Sequence, residues 1–68
     1  MLIKKITEIT SVVIKEKQGK FLTYFHRLRN QDLMLVYITS ISTDEKGKEY
    51  FRDVEFGIKH YLSEFKEV

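Results

Sequence analysis

Few side chains in this sequence are of types and spacings that perform chemistry. His26 and His60 are its only histidines. One falls in a β-like segment and the other in a helix-like one, and a lone histidine beside a sheet core packs or hydrogen-bonds more often than it acts as a base. Asp53-x-Glu55 is the one tight carboxylate pair that points one way along a strand. With no second layer to form a pocket, it reads as a solvated strip rather than an acid/base dyad. The three glycines, Gly19, Gly47 and Gly57, stand apart, so no phosphate-cradling loop is present. The absence of Cys excludes a thiolate metal site, and no three oxygen or nitrogen ligands converge. The expectation is a non-catalytic protein with no metal and no cofactor.

Binding chemistry has more to work with. Lys15, Lys17 and Lys20 cluster at the first turn signal, and Arg27 and Arg29 close the following segment. Phe21, Tyr24 and Phe25 are interleaved with them. Cations that follow phosphates, next to rings that stack on unpaired bases, are what single-stranded nucleic acid requires, each stacked base contributing roughly 1–3 kcal/mol. The charge is polarised along the chain. Residues 1–31 hold seven basic and two acidic side chains, and residues 32–68 hold five basic and eight acidic, for a net charge of +2. Asp53 and Glu55 would repel phosphates, which confines any strand-binding track to the first half of the chain.

These side chains must be positioned by a very small scaffold. Sixty-eight residues make one domain, 1–68, and a chain of this size buries only about 60% of the surface that its unfolded form exposes. No apolar run approaches the roughly 20 residues of a membrane span, and Met1-Leu2-Ile3-Lys4-Lys5 lacks the core of a signal peptide. A cytoplasmic protein is expected. Turn signals at Gln18-Gly19, Arg29–Asp32 and Thr43–Lys48 divide the chain. Ile6–Lys15 is rich in β-branched residues and reads as a strand despite a helical spacing of Leu2, Ile6, Ile9 and Val13. Phe21–Leu28, Leu33–Ser42 and Glu49–Phe56 read as three more. Ile58, Tyr61, Leu62 and Phe65 then fall at i, i+3, i+4 and i+7, which predicts an amphipathic C-terminal helix. The expected class is α+β, a four-stranded antiparallel meander followed by a helix (β-β-β-β-α).

Closing the three turns without irregularity sets a register. One face receives Ile9, Val13, Leu22, Tyr24, His26, Leu28, Leu33, Leu35, Tyr37, Ile41, Tyr50, Val54 and Phe56, and the helix covers it. The other receives Val12, Ile14, Phe21, Phe25, Met34, Val36, Ile38 and Phe51, with Thr23, Arg27, Asp53 and Glu55. One short helix cannot cover two faces, and a patch of that size exceeds what a monomer ordinarily exposes. A homodimer or another partner is therefore expected to bury Val12, Ile14, Phe21, Met34, Val36, Ile38 and Phe51.

The order of segments resembles the small nucleic-acid-binding folds of PUR domains, Whirly proteins and the positive-cofactor-four type of transcriptional coactivator. The local likeness is to bacterial PUR-like proteins. Thr23-Tyr24-Phe25 is similar to their aromatic second strand, and Gln31-Asp32 with Leu35-Val36-Tyr37-Ile38-Thr39-Ser40 to their turn and third strand. Val54-Glu55-Phe56 leading into Ile58–Phe65 also resembles the coactivator's last strand and helix. Gln31 stands where those proteins tend to have Gly, and Tyr61 where the coactivators have Trp. The resemblance implies a homodimer that binds single-stranded DNA or RNA, with Tyr24, Phe25, Arg27 and Arg29 as contacts. Lys15, Lys17 and Lys20 join that set on the charge argument alone. The alternative is a protein-interaction module or inhibitor that docks through its apolar sheet face, which the near-neutral net charge favours.

Overall fold

A computed structural model describes residues 1–28 and 34–68, so the expectations placed on Arg29, the Arg29–Asp32 turn and Leu33 lie outside the described residues. The chain forms β1 (Leu2–Thr7), β2 (Thr10–Gln18), β3 (Phe21–Leu28), β4 (Met34–Ser40), β5 (Ser42–Thr43), β6 (Glu49–Arg52) and β7 (Lys59–Tyr61). A 3₁₀ turn over Leu62–Glu64 and the short β8 (Lys66–Glu67) complete it. Strands β4-β3-β2-β1-β8 make a five-stranded antiparallel sheet, and β5-β6-β7 make a three-stranded one. The second sheet and the 3₁₀ turn cover one face of the first.

The expected C-terminal helix is therefore absent, and the β-β-β-β-α description is replaced by a nearly all-β fold. Lys59–Tyr61 pairs with Tyr50–Arg52, and Lys66–Glu67 returns to pair with Leu2 and Ile3. An isolated helix of this length is marginal in water, and long-range backbone pairing outweighs its propensity. Tyr61 and Phe65, which flank the 3₁₀ turn, are both extended. Of the four residues in the helical pattern only Phe65 is buried.

The first segment is two strands rather than one. A turn at Glu8-Ile9 separates β1 from β2, held where Ile9 N–H donates to Thr7 Oγ1 at 3.3 Å. The fourth predicted strand stops at Arg52. Asp53 to Phe56 is a turn, with Val54 and Phe56 exposed.

The β2–β3 hairpin closes over Gly19-Lys20, with Gln18 opposite Phe21. Gly19 takes φ +59° while Lys20 stays at negative φ, as a type II′ turn demands. Four residues before that turn, β2 carries an extra residue. Ile14 pairs with Tyr24 but Glu16 with Thr23, so Lys15 is a bulge. One added residue reverses the facing of every side chain beyond it. Val12 and Ile14 consequently join Tyr24 on the inner face, while Val13 moves to the outer face between Ile3 and Phe25.

The core on the inner face is Val12, Ile14, Leu22, Tyr24, Phe51 and Phe65, rimmed by Leu2, Tyr37, Ile41 and Leu62. Phe51 projects from β6 with its ring centroid 5.0 Å from that of Tyr24 and 5.9 Å from that of Phe65. The inward placement expected for Leu22, Tyr24 and Tyr37 holds. The outward placement of Val12, Ile14 and Phe51 is corrected: all three are core, so they cannot serve as a partner interface.

Candidate functional site

Two constellations stand out, one sealed and one open. The sealed one lies where β3, the turn after β6, and β7 meet. Asp53 begins that turn: its N–H donates to Ile58 O, and its carbonyl accepts from Gly57, each at 3.0 Å. Gly57 at φ +70° allows the chain to turn back. The Asp53 side chain then points inward. Oδ1 accepts from Phe56 N–H at 2.5 Å, and Oδ2 accepts from His60 Nε2–H at 2.6 Å. With Nε2 donating, His60 Nδ1 is the acceptor, and Lys4 Nζ lies 3.5 Å from it. Lys4 also forms an ion pair with Glu64. A chain of Lys4, His60 and Asp53 thus ties β1, β7 and the β6–β7 turn together.

His26 sits beside this chain without joining it. Its Nε2 is 3.9 Å from Asp53 Oδ1, beyond hydrogen-bond reach, and neither ring nitrogen has a partner. Its ring is held edge-on by Tyr24, Tyr37 and Phe56, at centroid distances of 5.8, 6.0 and 5.5 Å. His26, Asp53 and His60 are all buried. A histidine–carboxylate pair can orient a base, but a base must come within about 3 Å of the proton it takes. Here no substrate reaches the pair without displacing core. Among the described residues, no three His, Asp or Glu side chains are placed to hold a metal ion. The cluster ties the two sheets together.

Electrostatics give it a signature. Burial raises the Asp53 carboxyl's pKa, but the hydrogen bonds from Phe56 and His60 outweigh burial and hold it below its ordinary value. For His60, burial and the Lys4 charge outweigh the pull of Asp53, so its pKa lies below 6.5. Both folded-state values are depressed, so the unfolded chain takes up these protons first as pH falls. Stability present above about pH 6.5 is lost first through His60, and then through Asp53 below its ordinary value of 3.8. The urea midpoint should fall from pH 7.5 to 5.5 and again to 3.5, and His60→Gln should flatten the first step. A midpoint that holds or rises over the first interval contradicts this assignment.

The open constellation is the outer face of the five-stranded sheet. Cross-strand pairing sets Ile3, Val13, Phe25 and Val36 in one row, with Met34 opposite Arg27 and Ile38 opposite Thr23. Val13 and Phe25 are buried between flanking strands. Phe21, Met34, Val36 and Ile38 are 59%, 49%, 56% and 70% exposed. Those fractions leave roughly 400–500 Å² of apolar side chain in one strip, a size at which a monomer's largest patch is often functional. Strand β4 is also an edge of its sheet and carries no charge, Pro or Gly along Met34–Ser40. Natural edge strands are normally guarded by such residues.

Of the predicted nucleic-acid contacts, Lys15, Lys20 and Arg27 are exposed. Lys17 is exposed but bonded to Glu49 at 3.2 Å. The two carried-over rings face opposite ways. Tyr24 is fully buried, its hydroxyl accepting from Val54 N–H at 2.7 Å and its pKa raised by that burial. Phe25 is buried on the outer face, so neither ring offers a stacking surface. Of the predicted interface, Phe21, Met34, Val36 and Ile38 come together on one open face. The sequence reading missed the pairing of Asp53 with His60 and the outward turn of Val13. The run Val12-Val13-Ile14, apolar on both faces, was the one signal that register there was unsettled.

No helix among the described residues is long and apolar enough to cross a membrane. No family model matches the sequence, and neither a curated protein nor a solved structure matches the chain.

Proposed function

We propose that this chain is a non-catalytic interaction module of the cytoplasm that docks on protein through the outer face of β3 and β4. The observation that carries the reading is the strip Phe21, Met34, Val36 and Ile38, which cross-strand pairing gathers on one open sheet face. Aliphatic side chains dominate it, and these fit a protein surface better than the π-faces of bases. Strand β4 adds an unguarded edge to which an extended segment can pair.

Binding of single-stranded nucleic acid is the second reading. It is supported by the exposed Phe21 beside Lys20, with Lys15 and Arg27 also accessible. With Tyr24 and Phe25 buried, affinity would come chiefly from phosphates and would fall steeply with salt.

Photo-cross-linking in the producing cell separates the two. p-Benzoylphenylalanine at position 38 should give a nuclease-resistant protein adduct, abolished by Val36→Lys, while the same probe at exposed Glu45 gives none. A nuclease-sensitive adduct, or none at position 38, contradicts the protein-docking reading.

A further inference from the structure

We infer that the partner of the outer face is an acidic protein segment, an apolar stretch bordered by carboxylates; this rests on the face being a docking surface. The apolar strip has a cationic frame. Lys5, Ser11 and Arg27 form one cross-strand row that continues to Met34, and Lys66 stands opposite Ile3 at the far edge. Toward the other end, Lys15 and Lys20 are exposed along the hairpin. Glu16, opposite Thr23, is the one carboxylate that strand pairing sets on this face. Among the described residues, lysine ion pairs run from Lys4 to Glu64 and from Lys17 to Glu49, and the cations of the frame take part in none.

The inner face of the same sheet shows what covers such a surface. Lys4 and Lys17 belong to that side, paired with Val12 and Leu22. Their carboxylate partners come from the covering layer, Glu64 from the 3₁₀ turn and Glu49 from β6, whose Phe51 packs in the core. The acidic half of the chain thus meets the basic half with rings in the middle and carboxylates at the rim. The outer face repeats that chemistry, an apolar middle inside a cationic rim.

Charge also sorts the occupants. In a closed dimer, a second copy would bring the same cations to both ends of the strip, and like charges set against each other are costly. Nucleic acid would satisfy the cations but offers Met34, Val36 and Ile38 no aliphatic surface. An acidic protein segment satisfies both. Lys5 and Arg27 stand two strand spacings apart, roughly 10 Å between Cα atoms, so both can reach one carboxylate above Ser11.

Cross-linking from position 38 in the producing cell tests the inference through charge. Lys5→Glu combined with Arg27→Glu should cut the yield of the protein adduct about fivefold or more, with circular dichroism unchanged. Lys46→Glu, exposed in the β5–β6 loop, should leave the yield intact. Mass spectrometry should place the adduct in a partner segment where Asp and Glu outnumber Lys and Arg. An adduct indifferent to the double reversal, a neutral or basic partner segment, or an adduct to a second copy of this chain overturns the inference and leaves the docking reading standing. No adduct, or a nuclease-sensitive one, removes the docking reading and the inference together.

Discussion

Replacing Phe51 with Ala should leave most of the protein unfolded at room temperature. Its side chain is fully buried between the two sheets, and its ring contacts those of Tyr24, His60 and Phe65. Deleting a core phenylalanine costs about 3–5 kcal/mol. A single core in a chain of this size rarely supplies more than about 3–5 kcal/mol in total. Val54→Ala, three residues along and on the covered face in the straight register but exposed in the fold, should shift stability by less than about 0.5 kcal/mol. Urea titrations of both variants, followed by far-ultraviolet circular dichroism, check the contrast. A tolerant Phe51 with a sensitive Val54 would mean that β6 faces the other way.

The second large effect is expected at Asp53. Removing its carboxylate strands the Phe56 N–H and the His60 Nε2–H, and each buried donor left without its acceptor costs about 1–3 kcal/mol. Asp53→Ala should therefore be destabilised nearly as much as Phe51→Ala. Asp53→Asn keeps one carbonyl oxygen as acceptor and should lose roughly 1–2 kcal/mol. Chemical denaturation of the pair should reproduce that order. Equal losses would show that the charge, rather than the acceptor geometry, holds the turn.

How much of this was legible in the sequence depends on where pairing was local. Strand β3 spans Phe21–Leu28 as read, because aromatic and β-branched density is high and the Gly19 turn that precedes it is unambiguous. The alternation of β4 is equally plain, and its outward residues are the ones that remain exposed. Strand β2 failed at one residue. Nothing in the types Lys15-Glu16-Lys17 announces a bulge, yet Lys15 exchanges the two faces of the strand. The Glu8-Ile9 turn lacks Gly, Pro and Asn, and depends on the Thr7 hydroxyl, so β1 was hidden inside a longer run. At the C-terminus a true helical spacing was present, but Lys59–Tyr61 found its partners seven to eleven residues upstream on β6, and Lys66–Glu67 found theirs at the far end of the chain on β1. Local periodicity reports neither pairing.

The candidate site divides in the same way. Phe21, Met34, Val36 and Ile38 needed only strand alternation and lie together on the open face. Val12, Ile14 and Phe51 depended on register across the bulge and on β6 belonging to the main sheet, and they went to the core. Asp53 was read as solvated and His60 only as a packed or hydrogen-bonded histidine, because neither the second sheet nor the turn that brings them together has a local signature. One buried cluster ties the two sheets together, and one apolar sheet face is left open.

Chemical-shift mapping during titration with a synthetic peptide, alternating Leu and Ser between terminal Asp residues, tests that division most directly. As the peptide rises from about 10 µM to about 1 mM, amide shifts should move at Phe21, Thr23 and Met34–Ser40, with His60 and the core of β6 unmoved. Spectra that stay constant on β3 and β4 would remove an acidic segment as the occupant of this face, and changes confined to Lys15 to Lys20 would contradict its assignment as the working surface.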